Sequence, residues 1–459
     1  MSFLALDLGT SFIKGAVLDA DAQRIEHVQR IPFPAPVPNL PPLFCEIAPY
    51  QIVEVIRTLI TRLAPHAPDC EGIVMCNQMQ GVVLTDARAT PRTNYISWRD
   101  QRARMPHPSG HREASCTEGT YFDVMRSRLT ADERRATGSE WRPSLPISVL
   151  FWLAERGELA RDAIPTSLGD FVIANLCETT PTIHPTNASV HGVFDLARDD
   201  WQREVIARLG LTALQFPQVQ RTGARVGWLT LDGKRVPCFS PVGDQQCALT
   251  GALLREHELS INISTGSQVA FLSPRLQFGD YQTRPFFDGK YLNIVTHIPA
   301  GRALGVLVEL LTEIPRAHSI ELDAWEYIAR AAAQVRATDL RVDLAFFASA
   351  GGDRGAIENI REDNLTIANL FRAAFENMAE NYFTCAQRLS PTRAWERLVF
   401  SGGLAQKFDT LRRIIAEKFG APYRICPASE DTLFGLLLLA RVYSGRAASV
   451  AQAMEGSET

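Results

Sequence analysis

FLALDLGTSF, residues 3–12, is an apolar run that carries one carboxylate, Asp7, just before a Gly-Thr-Ser turn. Residues 12–20 then alternate apolar and polar side chains, so the two segments together predict a β-hairpin. A strand that is apolar enough for a protein core has no packing need for an acid beside its turn. Asp7 is therefore the first candidate for a functional residue.

The turn of this hairpin has the composition of a phosphate-binding loop. Glycine lets the backbone approach a ligand closely, and the N–H groups and hydroxyls of Thr10 and Ser11 can surround phosphate oxygens. Asp7 is suited to Mg²⁺, which prefers hard oxygen ligands and usually keeps several waters. Lys14 would add positive charge toward the phosphates. Taken alone, the segment also fits an ordinary tight turn after a strand that ends in an acid.

A second segment repeats this plan in the other half of the chain. LSINISTGSQVAFL, residues 259–272, is again an apolar strand, a turn of Thr, Gly and Ser, and an apolar strand. The repetition predicts a duplicated β-β-β-α-β unit, with one copy in residues 1–240, the other in 241–459 and a cleft between them. Two such hairpins that face each other across a cleft would hold a polyphosphate from both sides.

The segments between the hairpins indicate an α/β layered fold. After the first hairpin we predict a third strand at 24–34, a Pro-rich loop at 32–43, a helix at 49–64 and a buried strand at 70–78. Further on, the patterns predict a helix capped at Thr130, an amphipathic helix at 144–160, a helix that begins near Asp244, helices at 365–389 and 404–418 around a strand at 396–403, and a last helix at 431–443.

Composition excludes several classes of protein. The 459 residues are 46% hydrophobic and 21% charged, with a net charge of −4, so no global basic field attracts nucleic acid or an anionic membrane. The apolar stretch at 433–443 is about half of what a bilayer requires, and the N-terminus does not resemble a signal peptide. The nine cysteines form no C-x-x-C pair, which favours reduced thiols in a cytoplasmic protein over disulfides or a zinc site.

Asp244 is the candidate general base. It lies in VGDQQCALTGA, residues 242–252, where a turn leads into a predicted helix. A carboxylate at this place can accept the proton of a hydroxyl whose oxygen attacks phosphorus. The alternative is a helix N-cap, which is the commonest role of an Asp in such a position.

Two segments of the first half have the composition of a sugar site. CNQMQGVVLTD, residues 76–86, and YISWRDQRA, residues 95–103, place polar side chains beside an aromatic residue. A sugar requires hydrogen bonds at its edges and apolar contact on its face. Loop polarity with a core Trp98 is the alternative. A third segment, SGGLAQ at 401–406, brings two glycines to a strand–helix turn, where a flat adenine or ribose can pack on the backbone, although a plain turn fits equally well.

Taken together, these segments resemble the FGGY carbohydrate kinases over nearly the whole chain. LDLGTSFIKGAVLD and INISTGSQVAF resemble the two phosphate motifs of the family, and FSGGLAQ resembles its adenosine motif. NQMQGVV and YISWRDQRA resemble its sugar segments, and GDQQCALTGA resembles the segment that carries the catalytic base. Six motifs occur in the family's order, whereas neither a P-loop nor a G-x-G-x-x-G segment occurs.

The resemblance implies an actin-like, ribonuclease-H-like ATPase fold with two duplicated domains, and transfer of the γ-phosphoryl group of ATP, with Mg²⁺, to a sugar or polyol hydroxyl. It implies that Asp244 is the catalytic base and that Asp7 lies in the Mg²⁺ region. The nucleotide positions it implies are Thr10, Ser11, Lys14, Thr265, Gly266, Gly301, Gly402 and Gly403. The sugar-facing positions it implies are Met79, Gln80, Trp98, Asp100, Asn187 and Asp244.

Within the family, the segments most resemble those of members that phosphorylate sedoheptulose, so a ketose is the expected acceptor. A xylulose, ribulose or polyol kinase is the alternative, and a non-catalytic sugar sensor or an actin-like filament or chaperone ATPase is a more distant one. Gln80 stands where most members have His, and the segment at 104–145 matches poorly. The expected partners are the sugar and ATP, without nucleic acid or membrane, and a second copy of the chain in a homodimer.

Overall fold

The computed structural model describes residues 1–108, 119–349 and 352–456. The strands are β1 Ser2–Leu8, β2 Phe12–Asp19, β3 Arg24–Pro32, β4 Glu46–Ile47, β5 Cys70–Asn77, β6 Val83–Thr85, β7 Tyr95–Ile96, β8 Ile164–Thr166, β9 Thr182–Ile183, β10 Phe194–Asp195, β11 Asp200–Trp201, β12 Gln218–Val219, β13 Arg225–Leu231, β14 Lys234–Phe239, β15 Val242–Gly243, β16 Glu258–Ile263, β17 Ser267–Ser273, β18 Gln282–Pro285, β19 Tyr291–Ile298, β20 Arg341–Asp343, β21 Ala356–Glu358, β22 Arg397–Ser401 and β23 Tyr423–Ile425. The helices are α1 Pro49–Leu63, α2 Tyr121–Ser127, α3 Ala131–Ala136, α4 Pro146–Glu155, α5 Leu168–Cys177, α6 Pro185–Ala188, α7 Arg203–Arg208, α8 Asp244–Gly251, α9 Gly301–Ala317, α10 Ala324–Gln334, α11 Ile367–Leu389, α12 Gly403–Lys407, α13 Asp409–Phe419, α14 Asp431–Tyr443 and α15 Val450–Glu455.

Two mixed sheets form the centre of the fold and share one pairing plan. The first has the order β13-β14-β5-β1-β2-β3, and the second has the order β18-β19-β17-β16-β22-β23. In each, an antiparallel hairpin (β1–β2 or β16–β17) pairs on one side with a further antiparallel strand and on the other with a parallel strand, β5 or β22. The predicted duplication of a hairpin-based unit is therefore confirmed.

The register of the two hairpins allows single positions of the two copies to be compared. In the first, Asp7 lies opposite Lys14. In the second, Asn262 lies opposite Gln268, at the equivalent place before the turn. A carboxylate and an ammonium in one copy thus correspond to two neutral amides in the other.

Helices α8 and α14 cross between the two sheets. A β-carbon at Gly435 would lie 2.0 Å from the carbonyl oxygen of Cys247, and one at Gly251 would lie 1.8 Å from that of Asp431, so only glycine permits this crossing. Side chains of α14 form one core cluster with the first sheet, and side chains from α8 onward form another with the second. The end of the chain therefore packs on the first sheet, and the boundary at residue 240 stays a prediction.

Several predicted elements are confirmed and others are corrected. The third strand, α1, β5, α8 and the helix capped at Thr130 are present, and Thr130 accepts a hydrogen bond from the N–H of Glu133. Helix α4 is not amphipathic, because all its residues from Pro146 to Leu153 are buried. The helix predicted at 404–418 is two helices that meet at Phe408, and α15 follows the helix that was predicted to be last.

The described residues bear on two of the exclusions. None of their helices is both long and apolar enough to cross a membrane. Eight cysteines of the described residues are free thiols, and Cys116 lies outside those residues. The poorly matching segment at 104–145 also extends beyond the described part, since residues 109–118 fall within it.

Candidate active site

Asp7 lies at the end of β1 in a nearly closed polar environment. Its carboxylate is 3% exposed. It accepts a hydrogen bond from the hydroxyl of Thr432 at 2.6 Å and one from the thiol of Cys76 at 3.5 Å. The Nζ of Lys14 lies 3.6 Å from one of its oxygens. A carboxylate so close to a cation and to the start of α14 is placed for charge chemistry rather than packing.

Lys14 is shared between two carboxylates. Besides Asp7, it contacts Glu430 at 2.9 Å, and Glu430 also pairs with Arg30. Burial opposes the charge of Lys14, but the carboxylates of Asp7 and Glu430 outweigh it and raise the pKa of the ammonium. Thr10 and Ser11 lie at the turn beside this charge cluster, where the Thr10 hydroxyl donates to the Oε1 of Gln78 at 3.4 Å.

The second hairpin forms one wall of a cavity of about 470 Å³. Thr265 lies in this wall, and the N–H of Gly301 donates to the carbonyl of Ser264 at 3.0 Å. Gly402 has a φ of +89°, and a β-carbon there would lie 2.5 Å from the carbonyl oxygen of Ile263. The predicted nucleotide positions Thr265, Gly266, Gly301, Gly402 and Gly403 therefore meet around this turn.

A larger cleft of about 1250 Å³ contains two of the predicted sugar positions. Gln80 and Trp98 line it from the first half, and Gln282, Thr296 and His297 line it from the second. Gln80 has a φ of +70°, a strained conformation that turns the chain at the wall of the cleft. The cleft thus has walls from both copies, as the sequence predicted.

Asp244 begins α8 directly after β15. Gly243, not Asp244, is the N-cap residue, and no side chain caps the helix, so the helix-cap interpretation of Asp244 is wrong. Burial raises the pKa of Asp244 to about 7, the carboxylates of Asp7 and Asp431 act in the same direction, and Arg284 opposes them. A carboxylate with a pKa near neutrality is well matched to accept and release a proton.

The sequence match that decides the family covers more than half of the chain. A family model described as the N-terminal domain of the FGGY family of carbohydrate kinases matches residues 2–251. The chain belongs to the FGGY family. It is a carbohydrate kinase, a phosphotransferase with an alcohol group as acceptor, for which the family implies ATP as donor.

Relatives and solved structures of FGGY kinases extend over almost the whole chain. A sedoheptulokinase of Mus musculus is 21% identical over 510 aligned residues, which cover 95% of this chain and 96% of that protein. The ligand-bound xylulose kinase of Lactobacillus acidophilus has a TM-score of 0.84 at 16% identity, with 99% of this chain and 91% of that chain covered. The glycerol kinase of Plasmodium falciparum with ADP has a TM-score of 0.81 at 17% identity, with 99% and 92% covered. These likenesses confirm the actin-like ATPase fold of the FGGY kinases.

Three carboxylates of this FGGY kinase act on one another electrostatically. Asp7 and Asp431 both raise the pKa of Asp244, and burial raises the pKa of Asp431 itself. In the described residues, no group of three or more His, Cys, Asp or Glu is arranged to hold a metal ion directly. Hard carboxylate oxygens beside a phosphate-type turn still fit Mg²⁺, which is held in many kinases by phosphates and waters with only one or two protein carboxylates.

Two of the predicted sugar positions lie elsewhere than expected. Asp100 is fully buried, and its carboxylate accepts hydrogen bonds from the Arg102 guanidinium at 2.9 and 2.8 Å and from the N–H of Cys45 at 2.8 Å. Asn187 is also fully buried and donates to the Oδ1 of Asn77 at 3.0 Å and to the carbonyl of Pro241 at 3.1 Å. Both side chains hold neighbouring loops together, because their polar atoms are already paired inside the protein.

Asp170, which lies beside Asn187, gives a testable prediction. Burial raises its pKa from 3.8 to about 8, and its Oδ1 has no hydrogen-bond partner. The folded state therefore holds this proton more tightly than the unfolded chain does, and stability falls as pH rises toward 8. We expect Asp170→Asn to match the wild type at pH 5 and to be more stable by at least about 1 kcal/mol at pH 9, as measured by denaturant unfolding.

A matched control is Asp86→Asn. The Asp86 carboxylate is partly exposed and accepts hydrogen bonds from the N–H groups of Thr90 and Arg88, both at 2.9 Å, and these hold its pKa below the usual value. This variant should lose stability at pH 9. A gain at pH 9 in both variants, or in neither, would contradict the assignment of a buried proton to Asp170.

Sequence reasoning missed several residues of the site. Arg284 and Gln282 lie on β18, a four-residue strand without a periodic pattern. Trp325 lines the cavity of the second hairpin from α10, which was not predicted. Asn262 was recognisable only by its place in the second hairpin, which is equivalent to that of Asp7 in the first. The echo between the two hairpins was the one signal that pointed to it.

Proposed function

We propose that this enzyme transfers the γ-phosphoryl group of ATP to a hydroxyl of a ketose, with sedoheptulose as the preferred acceptor. The observation that carries the reaction is Asp244 at the start of α8, where burial and the carboxylates of Asp7 and Asp431 raise its pKa to about 7 and Arg284 opposes them. Arg284, which acts on Asp244, is held by Gln282, and Gln282 lines the same cleft as Gln80 and Trp98.

The choice of sedoheptulose is supported by the alignment with the mouse sedoheptulokinase, which extends over nearly the full length of both proteins. Xylulose, ribulose or a polyol is the alternative acceptor within the same reaction. These acceptors differ by single hydroxyl groups, and a few residues of the cleft decide among them. The proposed location is the cytoplasm, and the homodimer stays a prediction.

In the proposed reaction, Asp244 accepts the proton of the acceptor hydroxyl as that oxygen forms its bond to the γ-phosphorus. The bond between the γ-phosphorus and the bridging oxygen breaks, and ADP leaves with that oxygen. Lys14, Thr10 and Thr265 would bind the phosphates. Asp7, with Asp431 nearby, would hold Mg²⁺, which when bound neutralises negative charge on the phosphates.

Closure of the cleft would protect ATP from hydrolysis. The acceptor site has walls from both halves of the chain, so a bound sugar contacts both at once. Exclusion of water before the reaction favours transfer to the sugar over transfer to water. The crossing of α8 and α14 between the two sheets is the connection about which such a movement would take place.

The test is ADP release with ATP and Mg²⁺ in the presence of sedoheptulose, xylulose, ribulose, fructose, erythritol or glycerol. We expect the kcat/KM for sedoheptulose to exceed that of the other acceptors by at least about tenfold, which is the discrimination that one matched polar or apolar contact provides. A preference for another acceptor would overturn the sedoheptulose assignment and keep the reaction. ATP binding without turnover on any acceptor would contradict the proposed set of substrates.

A further inference from the structure

Arg284 is a buried cation that contacts a sugar segment and the residue after the candidate base. Its side chain is 8% exposed. One guanidinium nitrogen donates to the Oε1 of Gln245, the residue after Asp244, and lies 3.7 Å from the sulfur of Met79. The other donates to the Oε1 of Gln282 at 2.6 Å. Arg284 thus connects the second half of the chain to a sugar segment of the first.

None of these partners carries a charge. In the part of the chain that the structure describes, Arg284 has no carboxylate within ion-pairing distance, and burial lowers its pKa to about 10 while Asp244 acts from further away to raise it. A buried guanidinium held only by neutral amides and a thioether is costly unless further oxygen atoms accept from its remaining N–H groups. Its five donors exceed the two amide oxygens that accept from it.

An acceptor sugar can supply the oxygen atoms that the remaining N–H groups of Arg284 require. Arg284 donates to the side chain of Gln245, the residue that follows Asp244, so the guanidinium contacts the segment that carries the candidate base. Gln282, which holds Arg284, itself lines the large cleft together with Gln80 and Trp98. A carboxylate that accepts a proton and a guanidinium that donates hydrogen bonds together match two neighbouring oxygens of one sugar.

We propose that Arg284 is a specificity-determining residue that donates hydrogen bonds to the acceptor oxygen on the carbon next to the hydroxyl that reacts. This inference rests on the proposed kinase reaction and adds to it the feature of the acceptor that is recognised. An acceptor analogue that lacks this oxygen would leave the charged donor unpaired in a buried site, and the enzyme should therefore discriminate strongly against that analogue.

The experiment compares Arg284→Gln and Arg284→Lys with the wild type on the best acceptor of the panel and on its deoxy analogue, which lacks the oxygen next to the phosphorylated hydroxyl. The position of the phosphate is first determined by NMR of the product. For Arg284→Gln we expect the acceptor KM to rise by about tenfold to a hundredfold, as for a lost hydrogen bond to a charged group, with the KM for ATP within about twofold. The wild type should discriminate strongly against the deoxy analogue, and Arg284→Gln should not.

The matched control is Arg424→Gln. Arg424 is a partly buried arginine of the same half that pairs with Glu258 at 2.6 Å and donates to the carbonyl of Ala252 at 2.9 Å, away from the cleft. This variant should melt at a lower temperature with an unchanged acceptor KM. If Arg284→Gln does not fold, Arg284→Lys carries the test, because it keeps the charge but not the planar set of donors, and its acceptor KM should rise by about tenfold.

Discrimination against the deoxy analogue that survives in Arg284→Gln or Arg284→Lys would overturn the proposal, as would equal increases in both KM values. If the wild type phosphorylates no acceptor, the proposed function fails, and calorimetric binding of the same compounds tests Arg284 separately. Weaker binding to Arg284→Lys than to the wild type would then support its role. Equal binding to both, or no binding of any of the compounds to the wild type, would overturn it.

Discussion

Asp244→Asn is expected to lower the kcat for sugar phosphorylation by about a thousandfold, within the range that a positioned general base contributes. The amide keeps the size of the side chain at the start of α8 but cannot accept the proton of the acceptor hydroxyl. Because the side chain makes no helix-capping hydrogen bond, the fold should be unaffected. The KM for ATP should change little. The measurement is steady-state ADP release beside nucleotide binding by calorimetry.

The pH dependence provides the control for this prediction. The base must be ionised, so the wild-type kcat/KM should rise with pH through a pKa near 7 and reach a plateau above it. Burial of Asp244 sets this value, with Asp7, Asp431 and Arg284 as the charged groups that act on it. In Asp244→Asn, this rise of kcat/KM with pH should be absent. Turnover in Asp244→Asn close to that of the wild type would exclude this residue as the base.

Gly435→Ala is expected to destabilise the protein by about 3 kcal/mol, at the upper end of the range for overpacked sites. The added β-carbon would lie 2.0 Å from the carbonyl oxygen of Cys247, a backbone atom that cannot turn away, so α8 and α14 must separate. Since α8 carries Asp244 at its first residue, the same displacement should also lower kcat. The measurements are the melting temperature and the rate of ADP release.

Two further variants define this effect. Gly251→Ala places a β-carbon at the same crossing from the side of α8, and it should destabilise the protein to a similar degree. Gly305→Ala lies within α9, where a β-carbon would have no neighbouring atom within 4 Å, and should stabilise by up to about 1 kcal/mol because alanine favours a helix. Equal melting temperatures for Gly435→Ala and Gly305→Ala would refute the close crossing.

The sequence predicted those parts of the fold that depend on local pattern. The two hairpins, α1 and β5 follow from alternation, helical periodicity and turn residues, and the structure confirms them. Helix α4 was misjudged because its charged end, after Leu153, resembles a polar face, whereas the residues before it are buried on all sides. Helices α9 and α10 were missed, although α9 presents a mixed surface with Ala303 and Leu307 buried and Leu310 exposed.

The candidate site was predictable where residues follow one another in a motif, and less so where distant segments meet. Asp7, Thr10 and Lys14 share one hairpin, and their proximity follows from its register. Whether a polar loop residue faces the cleft depends on whether other residues of the protein pair with it. Asp100 pairs with Arg102. Arg284 contacts Gln245 and Met79 through the packing of β18 on α8 and on the first half of the chain, which no local pattern contains.

The difference between the two hairpins would give the proposed nucleotide site a direction. The two copies share their pairing plan. An acidic and a basic side chain, Asp7 and Lys14, occupy one pair of positions, and two amides occupy the equivalent pair in the other copy. A framework with the same pairing plan in both copies therefore carries different charges in its two hairpins. A triphosphate between the hairpins would meet its strongest charges at one end only, and its two possible orientations would differ in energy. The shared strand order supplies the framework, and the charged pair of the first hairpin would favour one orientation of a triphosphate on it.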